Sequence, residues 1–469
     1  MTLSRRCFLT SAAAAFGSAH LFAVPTEAPL DGTARLKLGV LSDVHLNRPG
    51  DEDTFLKALA YFRDAGADGV VIAGDIADTG RLEQLQRCAA AWRQIFPDDK
   101  APDGRPVARL FVLGNHCMDA WTWGASAEKR ADPAYRAACI GPDPAKAWDV
   151  CFHEPYAGVW MKDVKGYKVV GAHWGSFDQV PAFCAAHADE LAGDKPFFFV
   201  MHPHAKNSCL GPWAWGATGQ LNAVFEKFPN CIVLSGHSHY SLTDERTVWQ
   251  GAFTAVNTSS LRYTSYDYNL RDNAPGNSGG YQGANGTRVT PRVQTGDGRQ
   301  GMFFTVTDDA LRIRRREFVY DQSLGDDWVL PLTADPQGPM NFKTRAAQRG
   351  TPAFAAEARV TLSDVTTGGD KPRPCVCVAF PSAVVDPACR VFEYEVQPVL
   401  VADDVELPLR AKRVLATDFY LPVSQAGRAT SCWFAKDELP KGARVRFEVR
   451  PLECFGHKGA PIVSNLCSL

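Results

Sequence analysis

From Leu36 onward the chain alternates short apolar runs with longer stretches whose apolar residues recur every three to four positions. The runs at 36–41, 69–73, 108–113, 167–172, 197–201 and 231–235 predict buried strands, since they are brief and stop at Ser, Gly or His. The stretches at 52–65, 81–96, 181–191 and 219–228 carry helical spacing. Strand and helix in alternation predict an α/β domain with helices covering the sheet. After Phe253 the pattern turns to strands, with 301–307 and 311–319 reading as a hairpin joined at Asp308 and Asp309. Residues 271–299 are rich in Gly and Asn, show no period and read as a long loop. Beyond residue 358 come alternating strands such as 391–396, 413–421 and 443–449, with no helix, the pattern of a β-sandwich of about 100 residues. The predicted division is a leader at 1–28, an α/β domain at 34–325, a Pro- and Gly-bearing linker at 326–352 and a small all-β domain at 353–469.

Composition narrows the function. Hydrophobic residues make up 45% and charged residues 22%, ordinary globular usage. Fifty basic against 52 acidic side chains leave a formal charge of -2, so no global basic field exists to hold a nucleic acid duplex, and any phosphate chemistry is local. No apolar run reaches the roughly 20 residues that span a bilayer. At the N-terminus, Ser4-Arg5-Arg6-Cys7-Phe8-Leu9 followed by an alanine-rich run resembles a twin-arginine signal, which implies export in the folded state to the periplasm or beyond, with cleavage near 23–28. Fourteen cysteines, Cys7 among the leader, show no Cys-x-x-Cys spacing; buried thiols with one or two disulfides are expected.

Five of the six apolar strands end in metal-binding residues: Asp43-Val44-His45, Gly74-Asp75-Ile76-Ala77-Asp78, Gly114-Asn115-His116, His202-Pro203-His204 and Gly236-His237-Ser238-His239. Side chains alternate along an extended chain, so Asp43 and His45 share a side. Ligands of open α/β sheets bind beyond the carboxyl ends of the strands, where five such endings can meet. The glycines before Asp75, Asn115 and His237 fit loops that need φ > 0 or a close backbone approach. Imidazole, carboxylate and one amide, with no thiolate, suit Mn, Fe or Zn.

With these blocks in this order, the chain resembles the calcineurin-like metallophosphoesterase family over residues 36–319. The resemblance implies a β-sandwich flanked by helices (αββα). It implies one metal held by Asp43, His45, Asp75 and His239 and a second held by Asp75, Asn115, His202 and His237. Two cations about 3.5–4 Å apart would generate a bridging hydroxide for in-line attack on phosphorus and clamp the phosphoryl oxygens. His116 would protonate the leaving group or stabilise its charge, and Asp78 would orient His116 and raise its pKa. The expected substrate is a small organic phosphomonoester or phosphodiester, nucleotide-like by its aromatic rim.

Departures from the family refine this expectation. Cys117 stands where members often carry an acid after G-N-H, and Asp119 is a candidate substitute. Thr79 and the absence of Arg between His116 and Arg130 argue against phosphoprotein substrates. Asp78 replaces the Tyr that colours purple acid phosphatases, so a colourless protein is implied. Trp121, Trp123, Trp213, Trp215 and Tyr240, with Trp174, are candidate substrate walls, and His204 is a candidate substrate contact. His173 could face the same crevice. Arg262, Tyr263, Tyr266 and Tyr268 are further rim candidates, whereas 312–316, with four Arg, reads as a solvated basic strand. Residues 443–456 resemble the late strand and turn of fibronectin type III domains. The competing reading is an exported binding or adhesion protein with a structural metal centre and a ligand-binding β-sandwich.

Overall fold

The structure, a computed structural model, describes residues 34–209, 218–267, 286–288, 292–295, 298–366, 372–386, 389–403, 405–416 and 418–468. The leader, Trp213, Trp215, Tyr268 and most of 271–299 lie outside the described residues. Chain order gives β1 (Leu36–Leu41), α1 (Glu52–Asp64), β2 (Gly69–Ala73), α2 (Leu82–Ile95), β3 (Ala108–Val112), β4 (Val159–Val164), β5 (Tyr167–Ala172), β6 (Phe197–Val200), β7 (Cys231–Ser235), β8 (Val248–Gln250) and β9 (Thr254–Asn257). There follow β10 (Thr264–Asp267), β11 (Gly286–Arg288), β12 (Arg292–Thr295), β13 (Gln300–Val306), β14 (Ala310–Glu317), β15 (Gln322–Ser323) and β16 (Trp328–Pro331).

Two mixed sheets form the N-terminal unit. One runs β15-β14-β13-β1-β2-β3 with β16 on β14, and the other runs β4-β5-β6-β7-β9-β8. In each, the strands that carry the motifs are parallel. Alternation along β2 explains the layering: Val70 and Ile72 face α1 and α2, while Val71 and Ala73 face the second sheet. Phe198, Val200, Ile232 and Leu234 answer them from β6 and β7. Helices Val180–Ala186 and Thr218–Phe225 cover the outer face of the second sheet. Burying each of these Phe, Ile, Leu and Val side chains contributes about 1.5–3 kcal/mol, which makes the sandwich a rigid frame for its loops.

The C-terminal region packs a three-stranded sheet of β17 (Thr361–Thr366), β18 (Pro374–Phe380) and β22 (Thr430–Ala435) on a larger one. The larger sheet centres on β19 (Val391–Ala402), β21 (Ala411–Leu415) and β23 (Arg444–Glu453), edged by β20 (Val405–Pro408), β24 (Ile462–Val463) and β25 (Cys467–Ser468). Phe380 against Tyr394 (4.9 Å) and Phe434 against Phe447 (5.2 Å) fill the space between. This is a small all-β sandwich. Its apolar core is continuous with the outer face of the second sheet of the N-terminal unit.

Three expectations are corrected. The 326–352 linker is a fixed strap: β16 joins the first sheet, and the helix Phe342–Gln348 buries Phe342 against Phe455 and Arg345 against Glu245. The basic strand is not solvated, because Arg314, Arg315 and Arg316 are buried on β14 and paired with Asp327, Glu245 and Asp321. Part of 271–299 is stranded, with β12 on β10 and β11 parallel to β21. The thirteen described cysteines are free thiols, all buried except the partly buried Cys377 and Cys467. Among the described residues no helix is long and apolar enough to cross a membrane.

Candidate metal centre

The carboxyl ends of β1, β2, β3, β6 and β7 open on one edge of the sandwich, and the loops leaving them are stitched together. Asp43 N–H donates to Gly74 O (3.1 Å), His45 N–H to Asp75 O (2.9 Å) and Gly236 N–H to His202 O (2.8 Å). The strain sits on the functional residues: Asp43, His45, Asp75, His237 and His239 have φ between 47° and 68°. A left-handed conformation costs a non-glycine residue on the order of 1–3 kcal/mol and persists where the surroundings over-determine it. Gly74 also has positive φ, at 96°. Gly236 is needed for proximity, since a Cβ there would lie 1.7 Å from Ser42 Oγ and 2.4 Å from Asp43 Oδ2.

Each carboxylate is held by one oxygen and offers the other. Asp43 Oδ2 accepts from Ser42 Oγ and from His237 N–H (2.9 Å), while Oδ1 lies 3.0 Å from His239 Nε2 and 3.5 Å from His45 Nε2. Asp75 Oδ1 accepts His116 N–H (2.8 Å), while Oδ2 lies 2.9 Å from His202 Nε2 and 3.9 Å from His45 Nε2. The imidazoles repeat the rule. Nδ1 of His45 donates to Asp78 Oδ1 (3.0 Å), that of His202 to Ala73 O (2.8 Å) and that of His239 to Tyr263 O (3.1 Å). A ring whose Nδ1 carries the proton turns the Nε2 lone pair inward, the arrangement that second-shell partners impose on metal-binding histidines. His45 and His239 Nε2 are 3.2 Å apart, and His237 Nδ1 lies 3.1 Å from His202 Nε2. Asn115 Oδ1 is buried with no hydrogen-bond donor. Of the three groups that can hold a cation, one, His45 with Asp78 and His116, lies at the edge, and two lie deeper, Asp43 with His45 and His239, and Asp75 with His202 and His237. Asp75 faces both.

The charges interlock. Burial depresses the His45 imidazole, but the carboxylates of Asp43, Asp78 and Asp75 outweigh it and carry it up to about 10. Burial raises Asp75, but His202, His45 and His116 overcome it and bring it to about 2. His237, buried beside His202, is pulled down to about 3. Protons and cations thus compete for the same lone pairs.

His116 stands at the edge with 29% of its side chain exposed, edge-on to His45 (4.5 Å) and to Trp123 (4.8 Å). Its Nδ1–H donates to the backbone carbonyl of Asp78 (2.7 Å), whereas the Asp78 carboxylate takes His45 and Asn47 Nδ2 (2.7 Å). Asp78 therefore orients His116 through its main chain and His45 through its side chain. Burial lowers the His116 pKa, with Asp75 and Asp78 offsetting only part of the effect, which corrects the expected rise.

The candidate substrate contacts divide. Trp123 is 52% exposed beside His116. Trp121 is turned away, against Tyr135 and Arg136. Tyr240 belongs to the apolar core and His204 is fully buried, so neither forms the rim. His173 accepts Leu113 N–H (2.9 Å) between Tyr156 and Trp148, a core histidine lowered to about 3 by burial. Trp174 stacks toward His237 (6.4 Å) and donates its indole N–H to Asp119 Oδ2 (2.7 Å). Tyr263 lies 4.3 Å from the His239 ring. Asn47 and Gln84 carried no expectation; Gln84 Nε2 donates to Asn47 Oδ1 (3.2 Å) and to Thr79 Oγ1 (2.8 Å), bracing the Asp78 loop.

No curated protein matches the chain. Solved structures similar to it include a dimetal phosphatase from Danio rerio, at 13% identity and TM-score 0.37, covering 64% of this chain and 100% of that one. Another is the purple acid phosphatase PPD1 from yellow lupin (Lupinus luteus) seeds, at 14% identity and TM-score 0.39, covering 63% of this chain and 53% of that one. Residues 36–241, the span that carries all five motif blocks, match the family model described as calcineurin-like phosphoesterase, so this part of the chain is similar to that family.

Proposed function

We propose that the chain is a dinuclear metal-dependent hydrolase of a small organic phosphomonoester or phosphodiester. Asp43, His45, Asp75 and His239 would hold one ion, and Asp75, Asn115, His202 and His237 the other. The observation that carries the reading is the inward convergence of the Nε2 atoms of His45, His202 and His239, whose Nδ1 atoms are each held by protein, around a carboxylate that faces both groups. Mn, Fe or Zn suits this donor set. Bound there, a cation pair supplies an activated water and neutralises charge on the phosphoryl oxygens. The chain does the rest. Asp78 O holds the proton on Nδ1 of His116, so that Nε2 is the atom that would take up a second proton and pass it to the leaving oxygen. Trp123, Trp174 and Tyr263 line three sides of the ligand cluster with rings, which favours an ester whose organic group is planar or apolar.

The test is hydrolysis of p-nitrophenyl phosphate and of bis-p-nitrophenyl phosphate after chelation and after return of Mn²⁺, Fe²⁺ or Zn²⁺. Activity should vanish with the chelator and return with at least one ion. Hydrolysis of neither ester under any ion would refute the reading.

A further inference from the structure

Gln300, the first residue of β13, is fully buried behind the candidate metal centre. Its side-chain oxygen accepts from Leu242 N–H (2.8 Å) and Ser241 Oγ (3.1 Å), and its amide nitrogen donates to the carbonyl of Tyr420 in the β-sandwich (2.7 Å). This amide cannot be flipped, because a backbone N–H only donates and a carbonyl only accepts. The Gln300 N–H donates to Ser260 O (2.8 Å). Ser260 Oγ then donates to Asp43 O (3.2 Å) and accepts from Arg262 N–H (3.0 Å) and Tyr263 N–H (3.2 Å). One residue therefore joins the turn that follows His239, the segment that supplies the carbonyl partner of His239, and the C-terminal domain.

We propose that Gln300 is a positioning residue through which the β-sandwich sets the His237–His239 turn, which makes that domain part of the catalytic unit and not an appended module. The proposal rests on the dinuclear reading above. Its physical basis is that both partners of His239, Asp43 Oδ1 at Nε2 and Tyr263 O at Nδ1, are carried by segments that Gln300 ties through Ser260 to one fixed carbonyl. Groups outside the ligand shell that orient ligands in this way change metal affinity by 10- to 100-fold when lost.

Two variants of the full chain attack the junction from opposite sides. Gln300→Glu keeps shape and the acceptor for Leu242 but sets a carboxylate oxygen against Tyr420 O. Gly298→Ala leaves Gln300 intact but adds a Cβ 2.6 Å from Thr264 Oγ1 and 2.8 Å from Tyr420 Cδ2, forcing the junction apart. Mn²⁺ binding by calorimetry and electron paramagnetic resonance, the thermal midpoint of the chelated protein, and kcat and KM are read together. Both variants should bind Mn²⁺ about tenfold more weakly, with kcat falling more than KM rises. Wild-type Mn²⁺ affinity in folded Gln300→Glu overturns the proposal, as does a lowered midpoint with unchanged affinity, which marks a merely structural residue. If Gln300→Glu does not fold, the same outcomes in Gly298→Ala decide. A wild-type chain that takes up none of Mn²⁺, Fe²⁺ and Zn²⁺ instead overturns the dinuclear reading itself.

Discussion

The metal centre and the buried cluster around Glu245 are built from similar ionisable groups and use them in opposite ways. Around Glu245 one carboxylate is shared by three arginines. The carboxylate meets Arg345, Arg349 (2.5 Å), Arg315 (3.3 Å) and the Trp328 indole N–H (3.0 Å), and the guanidinium surplus is spent on the carbonyls of Leu242, Asp326 and Val248. In the metal centre the outward atoms are satisfied and the inward ones confront each other, with His45 and His239 nitrogens 3.2 Å apart on left-handed backbone. In the first arrangement each partner holds the others, so that losing one raises the free energy of the fold. The second raises it, and is tolerable because the two-sheet frame over-determines its loops. The difference separates a cluster that ties elements together from one preorganised to receive something.

The sharpest way to break this comparison is to neutralise one carboxylate in each. Asp75→Asn keeps the shape but removes the charge facing both candidate ions, so activity should fall by about a thousandfold or more. The thermal midpoint of the chelated protein should move by no more than about 3 °C, since the variant relieves as much as it loses. Glu245→Gln should do the reverse. It leaves the buried Arg315 and Arg345 and the partly buried Arg349 without their carboxylate, a loss of about 3–5 kcal/mol, while turnover of the folded enzyme below its transition stays within about threefold. Calorimetry and initial rates on both variants suffice. A destabilised Asp75→Asn or an inactive, stable Glu245→Gln would erase the distinction.

The same contrast explains what the sequence revealed. The ligand cluster was legible because a local rule places it: each block follows the carboxyl end of an apolar strand, where ligand loops of an α/β sheet meet, although Asp43 and His45 come together on left-handed backbone and not by the alternation of an extended chain. The Glu245 cluster was not, because its partners come from Arg315, Arg345 and Arg349, up to about a hundred residues away. A run of arginines on β14 looks like a solvated edge until Trp328 and the Phe342–Gln348 helix cover it. Proline and glycine hid that helix in the supposed linker, since its anchors, Phe455 and Glu245, are far off in sequence. Asp78 shows a finer limit. Its position named it as a partner of His116, yet whether main chain or side chain makes that bond depends on where His45 and Asn47 stand.

Acid sharpens the comparison with a smaller effect. Burial raises the Glu245 carboxyl, but Arg315, Arg345 and Arg349 outweigh it and hold it at about 2, below its ordinary value of 4.5. A carboxyl whose folded pKa is depressed contributes stability that is complete above the unfolded pKa and is lost as pH falls toward the folded one. The arginines stay protonated throughout, so the window is set by Glu245 alone and runs from about 4.5 down to about 2. Across it the wild type should lose on the order of 2–3 kcal/mol that Glu245→Gln cannot lose. Every other carboxylate, those of the metal centre included, titrates alike in both proteins and cancels in their difference. The gap between their thermal midpoints, measured in chelator at pH 7, 4.5 and 3, should therefore hold steady from 7 to 4.5 and narrow by pH 3. A gap that does not depend on pH would mean that Glu245 is not held as an anion by its arginines, and the two clusters would no longer differ in kind.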